Sequence, residues 1–182
     1  KNAPIDIEFV DFKIETILSI VKKEDLLMNG LINGKATISN LETKPSFISD
    51  IKVDDFVFNG EEVGDISIKV DNQTADLLNA EVLLSGGENK LDIAGTYRIS
   101  NGGLDLNADI NHLNIKSIQG FTMNNVTEGT GFLTGNFKVA GTVDAPNVNG
   151  ELKFNGAGFR ITKLNSYFKM SDEKIAFNNE GI

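Results

Sequence analysis

The side chains that could carry chemistry in this chain are a single histidine and several groups of carboxylates. His112 is the only histidine, and the chain has no cysteine. A zinc site needs several imidazole or thiolate ligands, so these residues predict no metal centre. We expect His112, flanked by Asn111 and Leu113, to be a solvent-facing strand residue rather than a catalytic base.

The carboxylates are numerous, but their spacing does not favour acid-base catalysis. Asp54 and Asp55 are neighbours and would point to opposite faces of a strand, whereas Asp105 and Asp109 would share one polar face. General acid-base chemistry needs an environment that separates two pKa values. A solvated strand face provides none, so we expect these carboxylates to lie in solvent.

Two glycine pairs could indicate a ligand-binding loop. Residues 86–89 read GGEN and residues 102–105 read GGLD, which distantly resemble the calcium-binding repeat of parallel β-helices. Each occurs once and without tandem spacing, which favours hairpin turns. The chain also lacks a phosphate-binding glycine loop and a G-x-S-x-G elbow. We therefore expect no cofactor and no enzymatic activity.

The elements that hold these residues are predicted to be short strands. The chain has 182 residues, of which 40% are hydrophobic, with 18 glycines and 3 prolines. Apolar and polar residues alternate in segments such as 148–154 (VNGELKF), the pattern of a strand with one solvated face. We expect turns at Asp144–Pro146 and Asn72–Thr74. The composition and the alternation predict an all-β fold.

One segment fits helical spacing at least as well as strand spacing. Ile14, Ile17, Leu18 and Val21 recur at the i, i+3, i+4 and i+7 positions. We predict a short helix near residues 15–26, and an irregular equivalent at 118–127.

The charge of the chain excludes some partners. The net charge is −9, which argues against nucleic acid and disfavours flat adsorption on an anionic membrane surface. The chain contains no run of about 18 apolar residues, so the sequence predicts no membrane-spanning helix. The chain begins at Lys1 and stops just after a strand-like segment at 175–177. We expect it to be a piece of a longer protein, with exposed sheet edges where that protein continues.

The chain also contains an internal repeat. Gly30 and Gly131, Gly34 and Gly135, and Pro45 and Pro146 are each 101 residues apart (131 − 30, 135 − 34, 146 − 45). Around these anchors, over roughly 55 residues, apolar residues recur 101 positions apart, so that equivalent residues fall on the same face of equivalent strands. The offset predicts two units, at about residues 5–101 and 106–182, the second of them truncated, in which the Pro45 and Pro146 turns coincide.

Three segments together resemble a known family. They are NGEEVGDISI at 59–68, LDIAGTY at 91–97 and GNFKVAGTVDAPNVNGEL at 135–152. Their order and spacing are similar to the TamB-like proteins of the AsmA-like superfamily, particularly the Bacteroidota type. The resemblance covers nearly the whole chain, and the helix-prone segment at 15–26 matches it least.

The resemblance implies a fold, a location and partners. The fold would be a β-taco, a long half-pipe sheet with an apolar concave face. The parent protein would be anchored in the inner membrane of a Gram-negative bacterium and would cross the periplasm. Family members are linked to phospholipid movement toward the outer membrane and to outer-membrane protein assembly with an Omp85-type partner.

The residues themselves leave two functions open. In the first, a trough on the apolar face holds phospholipid acyl chains, which need no hydrogen-bond partners. In the second, the chain is a structural β-solenoid or adhesin-like module with a dry core and no ligand. The candidate lining of the trough consists of the apolar residues that alternate along the strands and so share one face. They are Ile66, Ile68, Val70, Val82, Leu84, Leu91, Ile93, Leu104, Leu106, Ile110, Leu133, Phe137, Val139, Leu152, Phe154, Phe159 and Ile161.

Overall fold

A computed structural model describes residues 3–20, 26–39, 46–74 and 76–178. Within these ranges the chain forms eleven strands in one open antiparallel sheet, and the all-β prediction is confirmed. The strands are β1 (Ile5–Lys13), β2 (Met28–Ser39), β3 (Ser46–Phe58), β4 (Glu61–Thr74), β5 (Leu77–Gly86), β6 (Asn89–Arg98), β7 (Gly103–Asn114), β8 (Val126–Thr142), β9 (Ala145–Ile161), β10 (Ser166–Met170) and β11 (Lys174–Phe177).

The strands lie in the sheet in chain order from β1 to β10, and β11 also pairs with β9. Sequential order follows from short hairpins, because antiparallel neighbours need only a few connecting residues. Asn59–Gly60 and Gly87–Glu88 are two-residue turns in which both residues have positive φ, the signature of type I′ hairpins. The hairpin predicted at residues 86–89 is therefore confirmed.

Within the described ranges, two short α-helices interrupt the strands. Helix α1 (Ile14–Ile20) follows β1, and helix α2 (Ile115–Gln119) follows β7 and continues as a 3₁₀ turn at Gly120–Thr122. The first predicted helix is thus present, although its second half, at 21–25, lies outside the described residues. The irregular equivalent begins at Ile115, three residues earlier than the predicted 118.

Strand pairing repeats along the chain with an offset of 101 residues. Ile5 pairs with Ile38 in β1 and β2, and Leu106 pairs with Val139 in β7 and β8. The bulge after Phe9 in β1 recurs after Ile110 in β7. The two segments therefore share register, bulges and helix position.

Close backbone approach repeats in the same way. A Cβ added at Gly34 would overlap the carbonyl oxygen of Asp50, and one added at Gly135 would overlap that of Glu151. Glycine is required at both positions because no side chain fits between the strands there. Pro45 lies outside the described residues, so its comparison with Pro146 is not tested.

Two turn predictions are wrong in position. Asn72–Thr74 continues β4, where the Asn72 side chain accepts a hydrogen bond from the Phe47 backbone amide. Pro146 is the second residue of β9 and lies opposite Gly141 in β8, so the turn is formed by Val143 and Asp144. A proline near the start of a strand is tolerated if no ladder bond needs its missing N–H.

After β9 the chain returns along the sheet by a longer path than it does after β3, because β10 and β11 both pair with β9. Ile68 in β4 lies opposite Ile51, and Ile175 in β11 lies opposite the equivalent Leu152. The gap between these two residues is 107 (175 − 68), six more than the repeat offset. The 3₁₀ turn at Thr162–Leu164, which follows β9, lies in this longer connection.

The sheet curls around α2. Gln119 at the end of α2 donates from Nε2 to Glu61 Oε1 in β4 at 2.5 Å and accepts from the Gly129 amide in β8 at 2.9 Å. Three strands separate β4 from β8 in the sheet. One side chain can reach both only if the intervening strands bend around it, which gives the half-pipe its concave side.

Candidate apolar groove

Apolar side chains form rows that cross the concave face of the sheet, which we call the inner face. Directly opposed residues of neighbouring strands share a face, so the pairing register defines each row. The central row contains Phe9, Gly34, Ile51, Ile68, Val82, Ile93, Ala108, Phe137, Gly150 and Phe177.

Two further rows flank the central row. The helix-side row, nearer α1 and α2, contains Phe12, Ile32, Val53, Ile66, Leu84, Leu91, Ile110, Gly135, Leu152 and Ile175. The far row contains Ile7, Ala36, Ser49, Val70, Ala80, Gly95, Leu106, Val139 and Val148. The rows run across the strands, so the apolar path follows the long dimension of the sheet.

Most predicted lining residues fall in these rows. The central and far rows hold Ile68, Val70, Val82, Ile93, Leu106, Phe137 and Val139, and the helix-side row holds Ile66, Leu84, Leu91, Ile110 and Leu152. Leu104 lies beyond the far row, opposite Gly141. Leu133 and Phe154 face each other beyond the helix-side row, and Phe159 and Ile161 follow a bulge in β9. Lipid contact at these positions stays a prediction.

The inner face is divided into a packed part and an open part. Under the helices, Leu84, Leu133 and Phe154 are buried in two clusters, one including Ile32 and Phe58 and the other Ile115. From β5 to β8, side chains of the central and far rows such as Val82, Ile93, Leu106 and Phe137 are only half-buried, whereas Ala36 and Ser49, in the far row of β2 and β3, are 5% exposed. The packed part is a side-chain core, so only the open part can serve as a trough.

The inner-face residues of β1, β2 and β3 were missed in the sequence-based lining. Phe9, Ile32, Ile51 and Val53 belong to the same rows as the predicted residues. The signal was available, because each corresponds by the repeat to a position in β7, β8 or β9. Residues of α2 were missed for another reason, since nothing in the local pattern shows that this helix folds over the inner face.

Helix α2 is fixed by buried polar contacts. Asn89, 3% exposed, donates from Nδ2 to the Val63 carbonyl at 2.8 Å and to Ser117 Oγ at 2.9 Å. Its Oδ1 accepts from the Asn114 amide at 2.8 Å. In addition, Asn59 Nδ2 donates to the Gly120 carbonyl at 2.8 Å. These bonds hold α2 against the β3–β4 and β5–β6 hairpins.

Two cavities lie on different sides of α2. An apolar cavity of about 140 Å³ is lined by Ile115, Ile118, Gln119, Thr122, Val126, Leu133, Phe154 and Phe159. A larger polar cavity of about 510 Å³ is lined by Gly60, Glu61, Glu62, Gly87, Glu88, Asn114, Lys116, Ser117, Gly129, Thr130 and Gly131. The apolar cavity adjoins the packed cluster, because Ile115, Leu133 and Phe154 belong to both, whereas the polar cavity lies at the hairpin ends.

His112, Asp105 and Asp109, which were considered for chemistry, lie on strands and contact an aromatic ring or a lysine or face solvent. His112 is half-buried rather than fully solvent-facing, because its ring stacks on Phe132 with centroids 3.9 Å apart. Asp105 and Asp109 are both exposed on the outer face, where Lys138 Nζ lies 3.4 Å from Asp105 Oδ1. The outer face carries further exposed ion pairs, such as Lys35 with Glu8.

Comparison with protein-family models, with curated proteins and with solved structures gave no match. In the described part of the chain, neither α1 nor α2 has the length and apolar run of a membrane-crossing helix.

Proposed function

We propose that this chain shields phospholipid acyl chains in the open part of its inner face. The observation that supports the proposal is the set of half-buried apolar side chains in the central and far rows, which continue from strand to strand. In a water-soluble domain, a second layer of helices or strands would normally cover such a face and bury it. Acyl chains can replace that layer, since they remove apolar surface from water without requiring hydrogen bonds.

The dimensions of the rows suit extended hydrocarbon. Neighbouring strands are about 4.8 Å apart, so a row that crosses ten strands measures roughly 45 Å along the sheet. The hydrocarbon core of a bilayer is about 30 Å thick and is formed by two opposed acyl chains. A row is therefore longer than one chain, which suits passage along the groove better than a closed pocket.

The wider setting follows from the resemblance to TamB-like proteins. We propose that the parent protein is anchored in the inner membrane, crosses the periplasm and moves phospholipid toward the outer membrane. In the same proposal it supports outer-membrane protein assembly with an Omp85-type partner.

The alternative is a structural β-solenoid or adhesin-like module with a dry core. The two packed clusters under α1 and α2 favour it, because side chains alone fill the inner face there. In that case the open rows would have to be covered by protein in the parent molecule.

Photocrosslinking in living cells distinguishes the two functions. A benzophenone side chain replaces Phe137 on the inner face or, as the matched control, Leu83, which is 45% exposed on the outer face of β5. After irradiation, adducts are identified by mass spectrometry. Phospholipid adducts at position 137 but not at 83 would support the groove. Protein adducts alone at position 137 would favour the dry scaffold.

A further inference from the structure

The connection from α2 to β8, residues 120–125, exposes two large apolar side chains. We call it the α2–β8 loop. Phe121 is 50% exposed and Met123 is 73% exposed. Met123 and Asn124 have φ values of 50° and 62°, a left-handed conformation that asparagine adopts readily but that is unfavourable for methionine. The chain thus adopts an unfavourable backbone conformation where it presents apolar surface to solvent.

Hydrogen bonds fix this loop in place. Thr122 Oγ accepts from the Val126 amide at 3.0 Å. Thr162, just after β9, donates from its amide to the Asn125 carbonyl at 2.9 Å and from Oγ to the Asn124 carbonyl at 2.6 Å. The exposure of the apolar side chains is therefore a property of a defined conformation.

The segment around the loop is free of charge. Residues 117–127 (SIQGFTMNNVT) contain no charged side chain, in a chain with 24% charged residues and a net charge of −9. The equivalent segment of the first unit, 101 residues earlier at 16–26, contains Lys22, Lys23, Glu24 and Asp25. Absence of charge is thus a feature of the second unit alone, and it removes the desolvation penalty that charges would bring to contact with hydrocarbon.

The loop is continuous with the apolar cavity. Thr122 belongs to both, and Ile118 and Val126 line the cavity on either side of it. Phe121 also stacks on Phe58, with ring centroids 4.3 Å apart, and Phe58 belongs to the packed cluster of the first unit. The loop therefore adjoins the apolar cavity through Thr122 and the packed cluster through Phe121.

We propose that the α2–β8 loop inserts Phe121 and Met123 into the surface of a zwitterionic phospholipid bilayer. Aromatic and methionine side chains suit the boundary between headgroups and hydrocarbon. The acidic remainder of the chain is repelled by anionic headgroups, which is why the neutral surface is the preferred one. Contact of this loop with a bilayer does not depend on the proposed function of the groove.

Tryptophan fluorescence tests the contact directly. The chain contains no tryptophan, so Phe121→Trp introduces a single emitter at the loop. The protein is mixed with phosphatidylcholine vesicles, with and without bromine on the acyl chains. We expect a blue shift of emission and strong quenching by the brominated lipid. Ile48→Trp, at a residue 52% exposed on the outer face, should show neither. Adding Met123→Ser to Phe121→Trp should weaken vesicle binding several-fold.

Two results would overturn the proposal. One is emission from position 121 that is unchanged by vesicles or quenched no more than emission from position 48. The other is a blue shift without vesicles together with a doubled mass in solution, which would make the loop a contact between two copies. Repeating the assay with Phe137→Asp separates the two proposals, since loop quenching should persist even if the groove binds no lipid.

Discussion

The inner face contains phenylalanines in two different environments, only two rows apart. Phe154 is 9% exposed and belongs to the packed cluster with Ile115 and Leu133. Phe137 is half-buried in the central row, where its ring meets that of Phe177 edge to face at 5.4 Å. Substituting the two phenylalanines in the same way therefore compares the packed core, at Phe154, with the open groove, at Phe137.

An aspartate at each of these positions should have unequal effects on stability. Phe154→Asp buries an unpaired carboxylate and leaves a cavity, so it should lower the free energy of unfolding by more than about 3 kcal/mol. Phe137→Asp places the carboxylate where water reaches it, and the loss should be about 1–2 kcal/mol. Urea unfolding followed by circular dichroism measures both. Equal, severe unfolding would mean that the central row is as dry as the cluster.

At the scale of elements, the position of α2 depends on Asn89. Replacing it with alanine removes its bonds to Val63, Ser117 and Asn114 and leaves buried polar groups unpaired. We expect Asn89→Ala to lower the free energy of unfolding by about 2–4 kcal/mol. The matched control is Asn111→Ala, an exposed residue with one hydrogen bond, to Asp92, for which we expect a change within about 0.5 kcal/mol.

Hydrogen exchange at the α2 amides locates the effect of Asn89→Ala. Exchange should accelerate in α2 and the α2–β8 loop more than in β5 and β6. A uniform acceleration throughout the sheet would show that Asn89 supports the whole fold rather than the docking of α2.

Asp76, in the connection between β4 and β5, contacts the connection between β6 and β7, and this contact should give the fold a defined pH dependence. The Ser100 hydroxyl donates to Asp76 at 2.9 Å and lowers the pKa of that carboxyl, and the Ser100 amide and Arg98 act in the same direction. A pKa lowered by folding stabilises the native state above the unfolded pKa of about 3.9. This contribution is lost as the pH falls through the lower folded pKa.

We therefore expect Asp76→Asn to reduce the melting temperature at neutral pH and to have a smaller effect as the pH is lowered from about 4 toward 2. Thermal melts of both proteins across this range measure the difference. If the difference in melting temperature between the two proteins were the same at all pH values, the effect of Asp76→Asn would come from altered hydrogen bonding or packing rather than from the lost charge.

At the scale of the whole molecule, regular features could be predicted from the sequence. Alternation in segments such as 148–154 is imposed by the strand period of two, and the 101-residue offset is visible because equivalent paired positions keep the same spacing along the chain. The residues of the inner face in β4 to β9 could be predicted for the same reason, because every second residue of a strand lies on the same face.

Features that depend on distant partners could not be predicted. The contacts of Gln119 with Glu61 and Gly129 join residues 58 and 10 positions away, and no local pattern encodes such a pairing. The division of the inner face into packed and open parts follows from these contacts. Asn72 was assigned to a turn by composition, whereas its bond to Phe47 keeps it in the sheet.

Native mass spectrometry of the purified chain tests most directly whether the inner face holds lipid. We expect mass increments of whole phospholipids on the wild-type protein, their loss in Phe137→Asp, and their retention in Leu83→Asp on the outer face. All three proteins should have the same circular dichroism spectrum. A folded wild-type protein that carries no lipid after incubation with phospholipid, or a Phe137→Asp variant that carries as much as the wild type, would contradict the lipid groove.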